Sequence, residues 1–297
     1  MKARLPAFLG LILLGTLLSS VLILFEAGRN LPPTAAPLFE LLGKPLKTAD
    51  AALTRILPID EVDEAELGNA IALRYEVYRD ESDPDQKYVE SLVRHLSRDS
   101  HRGFEYRVFI LPNPAPNASA APGGVLFVTS GLLKMVETES ELVSVLGHEI
   151  GHVELGHCID LVRFQLLADK VEARPLGEIA DLAVGIMLRP SFSKTQEADA
   201  DAYGFRMLLK ENYNPFGMAN AFQKLAERNP DDMESGNPLD EYYRSHPSST
   251  LRARRYRTEA TQASIKRYYI GRRNLEERVS RYDAEYPEEW LGTSEED

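Results

Sequence analysis

A single cysteine, Cys158, stands among 297 residues, so no disulfide can close within the chain. Stability must come from core packing and from any bound metal. Positive charge is also scarce. The 34 Lys and Arg face 46 Asp and Glu, for a formal charge of −12 and a pI near 5.1. Such a chain repels phosphate backbones, which argues against a nucleic-acid partner. Residues 252–281 are locally rich in arginine, but there Arg alternates with Glu, Tyr and Leu at helical spacing, and the stretch reads as a solvated amphipathic helix. Internal repeats and low-complexity tracts are missing, and nothing near the C-terminus has the pattern of a helical-repeat array. The apolar fraction of 43% suits a globular core.

Charge is absent altogether from residues 5–25, an apolar run preceded by Lys2 and Arg4 and ended by Glu26. About twenty such residues span a bilayer as a helix. The run is followed by no clear small-x-small cleavage site and by no cysteine to carry a lipid anchor. The expectation is an uncleaved signal anchor over residues 1–29, with a cleaved signal peptide as the alternative. The flanking positive charge puts the N-terminus inside and the remaining chain outside.

Residues 30–60, rich in Pro, Ala and Leu, read as a tether and a lead-in helix, 61–285 as the main domain, and 286–297 as an acidic tail. Helical periodicity covers 61–80 and 88–96. Residues 106–111 and 125–129 are rich in β-branched and aromatic side chains and read as strands, with a Pro-, Asn- and Gly-rich loop between them at 112–124. Thr138 and Glu141 form a capping box that opens a helix running to about residue 158, and Ser193 and Gln196 form another opening a helix over 194–212. Asn214-Pro215 marks a third helix start, and 229–246 reads as an exposed acidic loop. The fold class is α+β: a mainly helical domain with a small sheet.

The helix opened by Thr138 carries His148-Glu149-Ile150-Gly151-His152. Residues four apart lie on one helical face, so both imidazoles converge on a single ion. Glu149, rotated by about 100° from His148, reaches a water beside that ion without taking a coordination position. Zinc makes water nucleophilic near neutral pH, and a carboxylate so placed accepts its proton during attack on a peptide carbonyl. Such a centre needs a third protein ligand. On a continuous helix His157 points away from the His148–His152 face, by about 180° and 140°, and Cys158 reads as a small buried residue. Glu197 and Asp201, one turn apart with Gly204 and Leu208 continuing their face, are the better candidates. Taken alone they leave two readings, a metal-facing helix or a solvated acidic one.

HEIGH followed by a downstream EADAD helix closely resembles the membrane-associated gluzincin metallopeptidases, the superfamily that includes HtpX, the CAAX prenyl proteases and the periplasmic BepA and LoiP branch. Two further elements match in order: Asn117-Ala118-Ser119-Ala120 through Gly124, leading into Val125–Thr129 and Gly131-Leu132-Leu133; and His246-Pro247 with Arg252 six residues after the histidine. The resemblance covers roughly residues 67–257. It implies Glu197 as the third ligand of one Zn2+ per chain, and Asp201 as the hydrogen-bond partner of a ligand imidazole or of substrate. It implies His246 beside the metal, as an oxyanion donor or as a latch on the open position, and Arg252 bracing that loop or a carboxylate. A single apolar run places the chain nearer BepA and LoiP than its polytopic relatives, and the segment's role makes Asn117-Ala118-Ser119 a poor glycosylation sequon. Strand 125–129, through Val125 and Phe127, is expected to rim the cleft and pair with extended polypeptide, Asn117 supporting it. The function implied is zinc-dependent endoproteolysis of unfolded or misassembled polypeptides in the bacterial cell envelope, from an inner-membrane anchor with the catalytic domain in the periplasm. A non-catalytic chaperone using the same cleft would have no need of Glu149. A purely structural zinc site would want thiolates that one cysteine cannot supply.

Overall fold

The computed structural model describes residues 61–162, 192–228 and 249–292, all within one compact unit, Ile59–Asp297. The apolar run at 5–25, the 229–246 loop and His246 lie outside the described residues. Among those that are described, no helix is long and apolar enough to cross a membrane.

The order is α1 (Glu61–Tyr75), α2 (Pro84–Leu96), β1 (Arg107–Leu111), β2 (Ala118–Ala121), β3 (Val125–Thr129), α3 (Ser130–Met135), α4 (Glu139–Glu154), α5 (Lys194–Lys210), α6 (Phe216–Arg228), α7 (Ser249–Gln262), β4 (Arg267–Tyr269), α8 (Arg272–Glu277) and β5 (Trp290–Gly292). The α+β expectation holds: mainly helix with a small sheet. Several boundaries follow the caps read from sequence. Thr138 accepts a hydrogen bond from Glu141 N at 3.2 Å to start α4, Ser193 and Gln196 close a full reciprocal box on α5, and Asn214 Oδ1 accepts from Phe216 N to open α6.

Four readings need correction. The 112–124 connection contains β2, an Ala-Ser-Ala-Ala strand of low intrinsic β-propensity held by its partner. The main sheet has the order β1-β3-β2, with β1 parallel and β2 antiparallel to β3, so Val125–Thr129 is the central strand and not the rim. Val125 and Phe127 are buried in the core. The arginine-rich 252–281 stretch is not one helix: α7 ends at Gln262 and β4 and α8 follow. The presumed tail from 286 contributes β5, which pairs antiparallel with β4.

The sheet's outer β1 side is satisfied by Gln86 of α2, whose Nε2 donates to Val108 O at 2.8 Å. On the other side β2 packs against α4. Helix α4 is buried along nearly its whole length, against α5 and α6. Its first turn has backbone N–H groups with no intrahelical partner, and the C-terminal segment supplies them: Glu139 N donates to Gly271 O and Ser140 N to Ile270 O. Glu139 itself is buried, accepting from Tyr213 Oη at 2.6 Å and from Arg281 N at 3.1 Å.

Candidate metal centre

Helices α4 and α5 cross at unusually short range because glycines face glycines. A Cβ on Gly147 would lie 3.0 Å from Gly204 Cα, and one on Gly204 would lie 2.8 Å from His148 N and 3.0 Å from Ser144 O. Gly151 is equally tight, against Tyr203 Cβ and Ala200 O. With the backbones this close, the side chain of Glu197 on α5 reaches the imidazoles of α4.

The three expected ligands meet. His148 Nε2 and His152 Nε2 are 3.1 Å apart, His152 Nε2 and Glu197 Oε1 3.4 Å, and His148 Nε2 and Glu197 Oε2 3.7 Å. Ligands bound tetrahedrally at zinc's usual bond lengths are separated by about 3.3 Å. The triangle therefore fits one small cation, and two imidazoles with one carboxylate are a donor set for zinc or a similar metal. Glu149 follows His148 on α4, buried, with both carboxylate oxygens shut off from solvent.

Around this triangle sits a charged brace. Asp201 Oδ1 lies 2.9 Å from His148 Nδ1, the ring nitrogen away from the triangle, a contact that orients the imidazole. Arg252 of α7 donates to both Asp201 oxygens, from Nε at 2.8 Å and from Nη2 at 2.5 Å, and its Nη1 lies 3.3 Å from Glu197 Oε2. Its guanidinium stacks 4.0 Å over the Phe222 ring. Burial pulls the Asp201 carboxyl upward, but Arg252 and His148 outweigh it and hold it below the usual carboxylate range. Of the two partners expected for Arg252, the loop or a carboxylate, the described contacts are with carboxylates.

Other residues stand where sequence reasoning did not put them. Helix α4 stops at Glu154, Gly156 takes the left-handed conformation (φ 73°), and residues 157–162 resume helix in a new direction. This turn brings His157 back onto His152, Nδ1 to Nδ1 at 3.1 Å, behind the ligand ring. Burial lowers the His157 pKa, so the ring is neutral near pH 7. Phe192 stacks on His152 at 3.8 Å between centroids. Cys158 is buried with its thiol pushed up by burial, and Sγ approaches Ala120 O at 3.6 Å, as a core residue would. Asn117 immediately precedes β2, and its backbone N–H donates to Thr129 Oγ1. Gly156, immediately before His157, is the sequence signal that could flag the turn. Phe192 gave no signal.

Fold and site together define a metallopeptidase-type centre built on an HExxH helix and a glutamate from a second helix. Residues 83–260 match Peptidase family M48, and the chain belongs to that family. Its relatives include the metalloprotease LoiP of Escherichia coli, 31% identical over 171 residues (54% of this chain and 64% of LoiP). They also include the mitochondrial metalloendopeptidase OMA1 of Arabidopsis thaliana, 26% identical over 164 residues (54% of this chain, 33% of the relative). The beta-barrel assembly-enhancing protease of Yersinia pestis is 29% identical over 162 residues (48% of this chain, 33% of the relative). The chain thus spans from a third to just under two thirds of the length of these relatives.

Proposed function

We propose that this protein is a zinc-dependent metalloendopeptidase that cleaves extended or unfolded polypeptide in the bacterial cell envelope. The observation that carries the reading is the triangle of His148, His152 and Glu197, at separations suited to one cation, with Glu149 next to His148 on the same helix. A bound zinc ion supplies Lewis acidity toward water and the scissile carbonyl. Glu149 takes the proton of the attacking water and returns it to the leaving amine. Asp201 and Arg252 hold His148 and Glu197 in place throughout, so the ligands need not reorganise as charge develops. His246 is assigned the oxyanion, as donor to the tetrahedral intermediate; a gain of activity in His246→Ala would instead make it a latch.

Substrate pairing passes in this reading from the central β3 to β2. That strand has β3 on one side and lies along α4, and main-chain pairing gives affinity with little sequence preference. The envelope relatives LoiP and the beta-barrel assembly-enhancing protease support the location. Together with the apolar run at 5–25, they support an inner-membrane anchor and a periplasmic catalytic domain. The test is cleavage of unfolded casein by the full chain, with and without chelator, alongside metal analysis. Chelator-sensitive cleavage that extended peptides of unrelated sequence inhibit is expected. Chelator-insensitive cleavage, or none with zinc bound, refutes the proposal.

A further inference from the structure

Among the described residues, His152 is met from three directions. Its Nε2 faces His148 and Glu197, Phe192 lies flat against its ring, and its Nδ1 sits 3.1 Å from His157 Nδ1. A neutral imidazole carries one N–H and one lone pair. The lone pair that binds a metal must be on Nε2, so the proton of His152 is on Nδ1. There His157 Nδ1 lies within hydrogen-bond reach. For His157 to accept, its own proton resides on Nε2.

We propose that His157 is a positioning residue for the metal centre: it accepts the hydrogen bond from His152 Nδ1 and so fixes the tautomer and ring angle with which His152 presents Nε2. This rests on the metal-centre reading above and goes beyond it. The two ligand imidazoles then have different acceptors, a carboxylate (Asp201) for His148 and a neutral ring for His152. The difference has an electrostatic reason. The Glu197 and Asp201 carboxylates already stand at the two ligand rings, with Arg252 beside them. A further carboxylate at 157 would add a buried negative charge, and burying an uncompensated charge is costly. An imidazole supplies the acceptor and adds no charge. Nor is His157 a ligand itself, because it meets His152 on the far side of the ring from Nε2. Its placement depends on Gly156, since a side chain at φ 73° is strained and the chain would not turn back there as readily.

Zinc affinity of the full-length chain, measured by competition with a chromophoric chelator, tests the assignment, with the visible spectrum of the cobalt-substituted protein as a second readout. His157→Leu removes the acceptor and should weaken zinc binding about 10- to 100-fold, the usual effect of losing such a partner, and shift the cobalt bands. His157→Gln keeps an acceptor, its amide oxygen, and should recover most of the affinity and the original spectrum. Wild-type affinity in His157→Leu overturns the assignment while leaving the metal centre intact. Equal weakening in both variants overturns it too, since packing alone would produce that result. Failure of the unsubstituted protein to bind zinc removes the metal centre and this inference together.

Discussion

Glu149 has the sharpest expectation at the scale of single residues. Replacing it with Gln preserves shape and leaves His148, His152 and Glu197 in place, so zinc content should match wild type. Turnover should fall by roughly 10²–10⁴-fold, the usual worth of a general base. Measuring both quantities on one preparation separates a lost base from a lost metal. Arg252 makes a different prediction. It joins two buried carboxylates, and Arg252→Met leaves them without their cation. Breaking a buried pair from one side costs about 3–5 kcal/mol. Urea unfolding of the metal-depleted variant should show a loss of that order, and saturating zinc should restore part of it by neutralising Glu197. His148 and His152 are legible because helical spacing alone puts them on one face, whereas Glu197, on a separate helix, is implied as their partner only by the family resemblance. Arg252 came only through the family resemblance: by composition it sits in a run of arginines that reads as a solvated face, and only folding shows that it turns inward.

Elements are where the sequence was least informative. Strand order is not written in chain order, so β3, the most β-like segment, was taken for a rim when pairing on both sides makes it central. Its true neighbour at the edge, Ala118–Ala121, has no β signature and becomes a strand through its register with Val125–Val128. On an unbroken helix His157 would face away from His152, but α4 ends at Glu154 and the left-handed Gly156 redirects the chain. The crossing of α4 and α5 offers a test at this scale. A methyl group at Gly204 meets backbone atoms, His148 N and Ser144 O, which cannot swing aside as a side-chain tip would. Gly204→Ala should therefore spread the two helices, costing about 1–3 kcal/mol in chemical unfolding and weakening zinc binding beyond what the stability loss explains. An unchanged zinc affinity would show that the crossing has slack.

At the scale of the whole molecule, the segment beyond the family match is fastened to the start of the catalytic helix through Glu139. Burial raises the Glu139 pKa to about 7, against partial relief from Tyr213, the Arg281 backbone, Tyr88 and the Arg281 charge. A carboxyl whose folded pKa exceeds its unfolded value holds its proton more tightly when folded. Its contribution is present in full below about pH 4.5 and is lost as pH rises through about 7. Between those limits wild type should lose on the order of 3 kcal/mol relative to a Glu139→Gln variant, whose difference from wild type should flatten above pH 7. Unfolding midpoints across that range check the sign.

The seclusion of Glu149 bears on rate. With neither carboxylate oxygen touching solvent, any opening that access to the base requires would make only the open fraction of molecules count toward hydrolysis. If one molecule in about a hundred gapes at any instant, apparent efficiency is about a hundredth of the intrinsic value. Mild warming or sub-denaturing urea would then quicken proteolysis before it abolishes it.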